Sequence, residues 1–291
     1  MAKRGFEVLR SVTANPAQPS GEPRALSEPF SDPTITFNCW GRVHGVDYRS
    51  LSARQQDDLA ADIAHNLTRL KEWCAEHRWV PVAPPDDLKI FVSDEFKNPK
   101  SLLPAAVGQR GRIELPAWKV VAGEAPVLHE LVHVYFPNGN RFLAEALAIH
   151  LQDALAANPA FPNFGRPLHA VARDLVVKMV PEFPAGLDKI RLTELDKIAT
   201  PSALRLRVGL ALYQDDPTGQ AHIYSLVGSF ARFLIESRGI ARFRALYDLT
   251  PLTPLDREAG APERWRDVYG ASLGEIETEW KMNLCEAAGL P

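Results

Sequence analysis

Residues 126–136 read PVLHELVHVYF, and this stretch predicts a buried helix. Apart from His129, Glu130, His133 and Tyr135, all of its residues are apolar. A helix that is apolar on nearly all sides lies in the core, and the proline that begins this one suits a first helical turn. Burying ionisable side chains is costly unless they are paired or bound to a metal. The helix therefore needs something that satisfies two histidines and a glutamate.

The spacing of the two histidines indicates what that is. His129 and His133 are four residues apart, which places them on one helix face about 6 Å apart along the axis. Two imidazoles so placed can both reach one zinc ion at about 2.0–2.1 Å. Glu130 points to the side of that ion, where it can take a proton from a bound water. The alternative for this HExxH pattern is a core helix with two satisfied histidines.

A second helix follows at once and offers a third ligand. Residues 137–140 form a turn, and Asn140 is a good N-cap for the next helix. Glu145 is the only charged residue among residues 142–149. If the two helices pack antiparallel, Glu145 completes a set of two His and one Glu, and a water takes the open position that catalysis needs. The alternative is a glutamate whose carboxylate reaches solvent.

The rest of the chain predicts an α+β protein in three parts. Residues 1–33 are rich in proline and predict an arm that is disordered or draped over the surface. Residues 34–125 predict an N-terminal α/β lobe, a small sheet with one helix. Residues 126–291 predict a mainly helical C-terminal lobe that carries the zinc site. The predicted strands are 34–37, 88–92 and 112–115, and a helix from the Ser52/Gln55 capping box to Cys74 lies between the first two. The predicted helices of the second lobe are 126–136, 141–157, 167–179, 203–213, 220–238, 240–248 and 273–287.

Composition excludes some classes of function. The net charge of -3 and the pI of about 6.3 give no basic domain of the kind that nucleic-acid binding requires. Three widely spaced cysteines predict free thiols and a reducing compartment, with one disulfide plus a spare thiol as the alternative. No segment is apolar enough for a membrane span, and the N-terminus has no signal peptide as written. We therefore expect a cytoplasmic location, or export if the N-terminus was trimmed. The oligomeric state is not predicted.

The motifs resemble those of a known family. HExxH followed by Phe142-Leu-Ala-Glu145-Ala-Leu-Ala148 is similar to the gluzincins, the peptidase MA-like branch of zincin-fold metallopeptidases, whose second helix typically reads W-L-x-E-G-x-A. Here Phe142 replaces the tryptophan and Ala146 the glycine. Residues 224–234 and 269–280 resemble further segments of that family, so the similarity covers roughly residues 34–287.

The resemblance implies a zincin-like fold, zinc ligands at His129, His133 and Glu145, and a general base at Glu130. In aminopeptidase-like relatives a downstream tyrosine stabilises the oxyanion. Tyr224 occupies a similar place here, with a purely structural tyrosine as the alternative and His222 as a rival donor.

The sequence also gives predictions for two other residues of the second helix. Asp153 is expected either to orient a zinc ligand or, as the favoured alternative, to be a solvated carboxylate near the helix end. His150 is expected to face away from the metal.

The sequence thus predicts a zinc-dependent metallopeptidase that hydrolyses a peptide or protein substrate through a metal-activated water. The free edge of strand 112–115 is expected to pair with the extended substrate backbone. The alternatives are a zincin-fold zinc-binding protein without turnover and a metal-free structural helical protein.

Overall fold

The structure, a computed structural model, describes residues 30–44, 46–81, 85–101, 111–158, 160–179, 192–196, 217–250 and 260–287. The elements of the first part are β1 (Thr34–Asn38), β2 (Trp40–Val43), β3 (Val46–Arg49), α1 (Ala53–His77), β4 (Asp87–Ser93), β5 (Lys100–Ser101) and β6 (Arg112–Pro116). The helices that follow are α2 (Ala117–Val121), α3 (Val127–Tyr135), α4 (Arg141–Leu155), α5 (Leu168–Met179), α6 (Leu192–Leu195), α7 (Pro217–Arg238), α8 (Ile240–Asp248), α9 (Arg264–Tyr269) and α10 (Leu273–Ala287).

The predicted α+β class, with a small N-terminal sheet and a helical C-terminal part, is confirmed. The three predicted strands are β1, β4 and β6, and helix α1 begins at Ser52 with both bonds of the capping box to Gln55. The predicted helix 203–213 lies outside the described residues. Short elements were not predicted: the β2–β3 hairpin, strand β5, and helices α2, α6 and α9.

The main sheet has the strand order β1-β4-β6-β5. Strands β1, β4 and β6 are parallel, and β5 runs antiparallel to β6, with Lys100 opposite Glu114 and Ser101 opposite Ile113. Strand β6 therefore has a neighbour on both sides. The expectation that its edge is free for a substrate backbone is wrong over Ile113 and Glu114, because β5 occupies that edge.

Strand β6 begins at a position that only glycine fits. Gly111 has a φ of +76°, and a Cβ there would lie 2.2 Å from the carbonyl oxygen of Asp87. Its own carbonyl accepts a hydrogen bond of 2.9 Å from the amide of Lys89. The glycine thus lets β6 join β4 in register and lead through α2 towards α3.

Helix α3 lies in the core, as its all-round apolar character predicted. It packs against α1 on one side and α4 on the other, and Leu131 and Val132 have no solvent exposure. Helix α4 in turn packs against α7. Within the described part of the chain, no helix has the length and apolar character needed to cross a membrane.

The last residues of the predicted arm are packed against this core. Phe30 is buried, and its ring centroid lies 4.5 Å from that of Tyr135 at the end of α3. Lys71 of α1 lies over the same ring and forms an ion pair with Asp32. Residues 30–33 are thus draped on the surface of α1 and α3, and residues 1–29 lie outside the described part of the chain.

Candidate metal centre

The turn between α3 and α4 is held in place from both ends. The carbonyl of Phe136, where α3 ends, accepts a hydrogen bond of 2.6 Å from the hydroxyl of Tyr247 on α8. Asn140 caps α4, since its side-chain oxygen accepts from the amide of Leu143 at 3.0 Å. The two helices therefore meet at a fixed angle, and side chains on their facing surfaces can converge.

Three side chains do converge there. The Nε2 atoms of His129 and His133 lie 3.0 Å apart, and the Oε2 atom of Glu145 lies 3.1 Å from the first and 3.4 Å from the second. Among the described residues these three form a group of side chains that could hold a metal ion. The structure therefore brings His129, His133 and Glu145 together, as the sequence predicted.

The size of this triangle suits a transition metal. A circle through three atoms at these spacings has a radius of roughly 1.8 Å, which is shorter than the ~2.0–2.1 Å of a bond from zinc to nitrogen or oxygen. One ion placed about 1 Å above the plane of the triangle would therefore reach all three atoms at bonding distance. Two imidazoles and one carboxylate are also the donor set of several catalytic zinc sites.

The site is buried, and its polar atoms are short of partners. The side chain of Glu145 is 3% exposed and that of His133 is 5% exposed, whereas His129 reaches 13%. Neither carboxylate oxygen of Glu145 accepts a well-formed hydrogen bond, and Glu130 Oε2 and His129 Nδ1 are buried without one. Buried polar groups are normally satisfied, so this concentration of unsatisfied atoms indicates a site built for a ligand.

Electrostatics favour an ionised Glu145. Burial by itself raises the pKa of this carboxyl, but Arg141 and the two histidines lower it by more. The net pKa therefore lies well below its usual range. For His133, burial outweighs the carboxylate and lowers the pKa to about 4. A neutral imidazole and an ionised carboxylate are the protonation states that a metal ligand requires.

The two histidines differ in their titration. Burial lowers the pKa of His129, but the carboxylates of Glu145 and Glu130 raise it by more, so its net pKa lies above the ordinary value. Of the two, His129 is the one that takes up a proton when the carboxylate has no metal beside it.

Glu130, the predicted base, lies next to the triangle. Burial raises the pKa of its carboxyl above the ordinary value, and Glu145 adds to this, whereas His129 and Arg141 lower it. The hydroxyl of Ser101 on β5 lies close enough to this carboxylate to lower its pKa, which connects the sheet edge to the site. A carboxyl with a raised pKa is a better proton acceptor near neutral pH than an exposed one.

Tyr224, the predicted oxyanion donor, also reaches the site. It lies on α7, and its hydroxyl lies beside the guanidinium of Arg141 on α4. Burial raises its pKa, and the carboxylate of Glu145 raises it further, so the phenol stays protonated. The ring of Phe161 contacts it edge-on at 5.5 Å between centroids. The side chain of His222, the rival donor, lies outside the described part.

Two residues of α4 lie away from the candidate metal centre. The predictions for Asp153 were both wrong: its side chain is 12% exposed, and it accepts from Asn163 at 2.7 Å and pairs with Arg232 at 3.6 Å. It therefore holds the segment after α4 against α7. The charged neighbours of His150 are Arg232 and Glu236, consistent with the expectation that it faces away from the metal.

Two residues of the site were missed from the sequence, Arg141 and Ser101. Arg141 precedes Glu145 by four residues, and that spacing places both on one helix face. This signal was available and could have identified it. Ser101 belongs to a two-residue strand that no pattern in the sequence indicates.

Comparison with protein-family models, with curated proteins and with solved structures finds no match to this chain.

Proposed function

We propose that this chain is a zinc-dependent metallopeptidase of the gluzincin type, with a zincin-like fold, zinc ligands at His129, His133 and Glu145, and a general base at Glu130. One observation carries the proposal: three donor atoms from two helices lie 3.0–3.4 Å apart. The His₂Glu donor set favours zinc among the divalent metals, because the catalytic zinc of several hydrolases has these ligands.

A zinc ion held there would supply a Lewis acid for a carbonyl and would lower the pKa of a water. The chain's own groups would do the rest. Glu130 accepts the proton of the attacking water and passes it to the leaving amine. Tyr224 donates a hydrogen bond to the oxyanion that develops on the carbonyl, a contact commonly worth about 3 kcal/mol.

The substrate is proposed to be a peptide or protein lying in extended form beside β5. This strand forms the outer edge of the sheet within the described residues, and its Ser101 contacts Glu130. Backbone pairing at such an edge would bring a peptide bond close to the base.

The test is the variant Glu130→Gln, which keeps the shape of the side chain and removes its basicity. We expect it to bind zinc as the wild type does and to hydrolyse a peptide library at less than about 1% of the wild-type rate. The matched control is Glu72→Gln on α1, whose side chain is 61% exposed. Full activity in Glu130→Gln would refute the assigned base.

A further inference from the structure

Arg141 is the first residue of α4 and lies one helical turn before Glu145. One of its terminal nitrogens forms an ion pair with Oε1 of that carboxylate. The other oxygen, Oε2, faces the two imidazoles at 3.1 and 3.4 Å. The carboxylate is thus held between a cation on one side and the two histidines on the other. This leaves one oxygen for a metal ion.

The same guanidinium contacts a second residue of the site. The guanidinium of Arg141 lies beside the hydroxyl of Tyr224, close enough for each group to act on the pKa of the other. A guanidinium can only donate, so in a hydrogen bond between the two groups the phenolic oxygen would be the acceptor, and the phenol would keep its own proton for another partner. The planar fork of arginine is what allows one side chain to contact both groups in a fixed geometry.

This ion pair differs from other pairs at the same spacing in the chain. Arg54 and Asp58 on α1 are also four residues apart, but their side chains are 92% and 73% exposed. Such exposed pairs contribute little. Arg141 and Glu145 are 22% and 3% exposed, and the Nε atom of Arg141 is buried without a hydrogen-bond partner. An arginine in these surroundings affects the groups of the site, whereas an arginine of an exposed pair interacts mainly with solvent.

We propose that Arg141 is the positioning residue of this centre, which keeps Glu145 a one-oxygen ligand and turns the hydroxyl proton of Tyr224 towards the substrate. The part that concerns Glu145 needs only that a metal binds. The part that concerns Tyr224 rests on the proposed function.

The first test uses Co²⁺ as the probe, since its visible absorption reports coordination number and geometry. Without the ion pair, Glu145 is free to bind through both oxygens, and the coordination number rises. We expect Arg141→Gln loaded with Co²⁺ to show visible absorption about twofold weaker than the wild type. Arg141→Lys, which restores a charge next to Oε1, should recover the wild-type spectrum, and Arg54→Gln should not change it. A wild-type spectrum in Arg141→Gln would overturn the role proposed towards Glu145.

The second test uses Arg141→Lys, which has one ammonium in place of the fork and cannot hold both partners. We expect kcat for a peptide substrate to fall at least about 30-fold with little change in KM. Adding Tyr224→Phe to Arg141→Lys should then lower kcat less than about threefold, because the two residues act as one unit. If Tyr224→Phe costs as much in that background as in the wild type, the coupling does not exist.

The two tests fail independently. A wild-type protein that binds Co²⁺ but hydrolyses no peptide would contradict the proposed function, while the spectra would still decide the role of Arg141 towards Glu145. Both tests need Arg141→Lys to fold, which circular dichroism would check. If Arg141→Gln does not fold, a wild-type kcat in Arg141→Lys still overturns the part of the proposal that concerns Tyr224, and a Co²⁺ spectrum of Arg141→Lys that differs from that of the wild type overturns the part that concerns Glu145.

Discussion

At the scale of single residues, the site is a set of ionisable groups in the core that are only partly compensated. Glu145 has two imidazoles and a guanidinium around it, and Glu130 has the Ser101 hydroxyl. Such groups are expensive to bury unless they have a function or a ligand. This cost arises where helices α3 and α4 leave the two imidazoles and the carboxylate of Glu145 facing one another.

Tyr224→Phe tests the oxyanion donor. Phenylalanine keeps the ring that packs against Phe161 and removes only the hydroxyl. We expect kcat to fall about 100-fold, with KM and zinc affinity nearly unchanged, because the contact would be made in the transition state. The matched control is Tyr269→Phe on α9, a buried tyrosine whose hydroxyl has no hydrogen-bond partner. Retention of more than half of kcat in Tyr224→Phe would rule out this role.

His150 makes stability depend on pH. Burial and Arg232 lower its pKa to about 4, whereas in the unfolded chain it titrates near ~6.5. Below that value the unfolded state binds the proton and the folded state does not, so stability is lost as the pH falls towards 4. The neighbouring Glu236 opposes this shift only in part.

The measurement is urea unfolding of metal-free protein at pH 7 and pH 5. We expect His150→Gln to lose up to about 2 kcal/mol less than the wild type between these two pH values. His65→Gln, a change at an exposed histidine of α1, should behave as the wild type does. Equal losses in the wild type and His150→Gln would contradict the assignment.

At the scale of elements, the close approach of α7 to α4 brings Tyr224 to Glu145. A Cβ on Gly228 would lie 2.5 Å from Cγ2 of Ile149, so only glycine allows this contact. Gly228 is four residues after Tyr224, and Ile149 is four residues after Glu145. The contact therefore sets the distance between the two helices one turn away from the site.

Gly228→Ala should move these helices apart. We expect a loss of about 1–3 kcal/mol in the free energy of unfolding, together with a fall in kcat, because Tyr224 would move away from the site. The control is Gly274→Ala on α10, where the nearest atom to an added Cβ, Cγ2 of Thr193, is 3.9 Å away. That change should stabilise by up to ~1 kcal/mol. Unchanged stability and activity in Gly228→Ala would show that the helices adjust without cost.

The elements that the sequence predicted well are those with many residues of one periodicity. Helix α1 has 25 residues and its capping box, and α4 ends at Leu155, two residues short of its predicted end. Strand β5 has two residues and α6 has four, too few for any periodic pattern. The edge of β6 was predicted to be free because the short strand β5, which pairs with it, was not predicted.

At the scale of the whole molecule, Asp196 connects the turn between α3 and α4 to the C-terminal part. Its carboxylate accepts from Asn140 at 2.8 Å and from the indole of Trp265 at 2.9 Å, and it pairs with Arg264. These partners are 56 to 69 residues away along the chain. No local pattern could predict such contacts, whereas the facing positions of His129 and His133 were predictable because helical spacing is local.

Asp196→Asn tests this connection. Asparagine retains the shape of the side chain but leaves Arg264 buried without a counter-charge, and its side chain is only 4% exposed. We expect a loss of about 3–5 kcal/mol in the free energy of unfolding, measured with urea. Asp174→Asn, which breaks pairs between exposed side chains, should cost less than about 1 kcal/mol. Similar small losses in both variants would show that Asp196 does not hold the turn.

The most direct measurement is the zinc content of protein purified without added metal and then dialysed against zinc. The account predicts one zinc ion per chain, and predicts that His129→Ala, His133→Ala and Glu145→Ala each weaken zinc binding, whereas Glu72→Ala does not. A wild-type protein that stays metal-free, or a Glu145→Ala variant that binds zinc as tightly as the wild type, would contradict it.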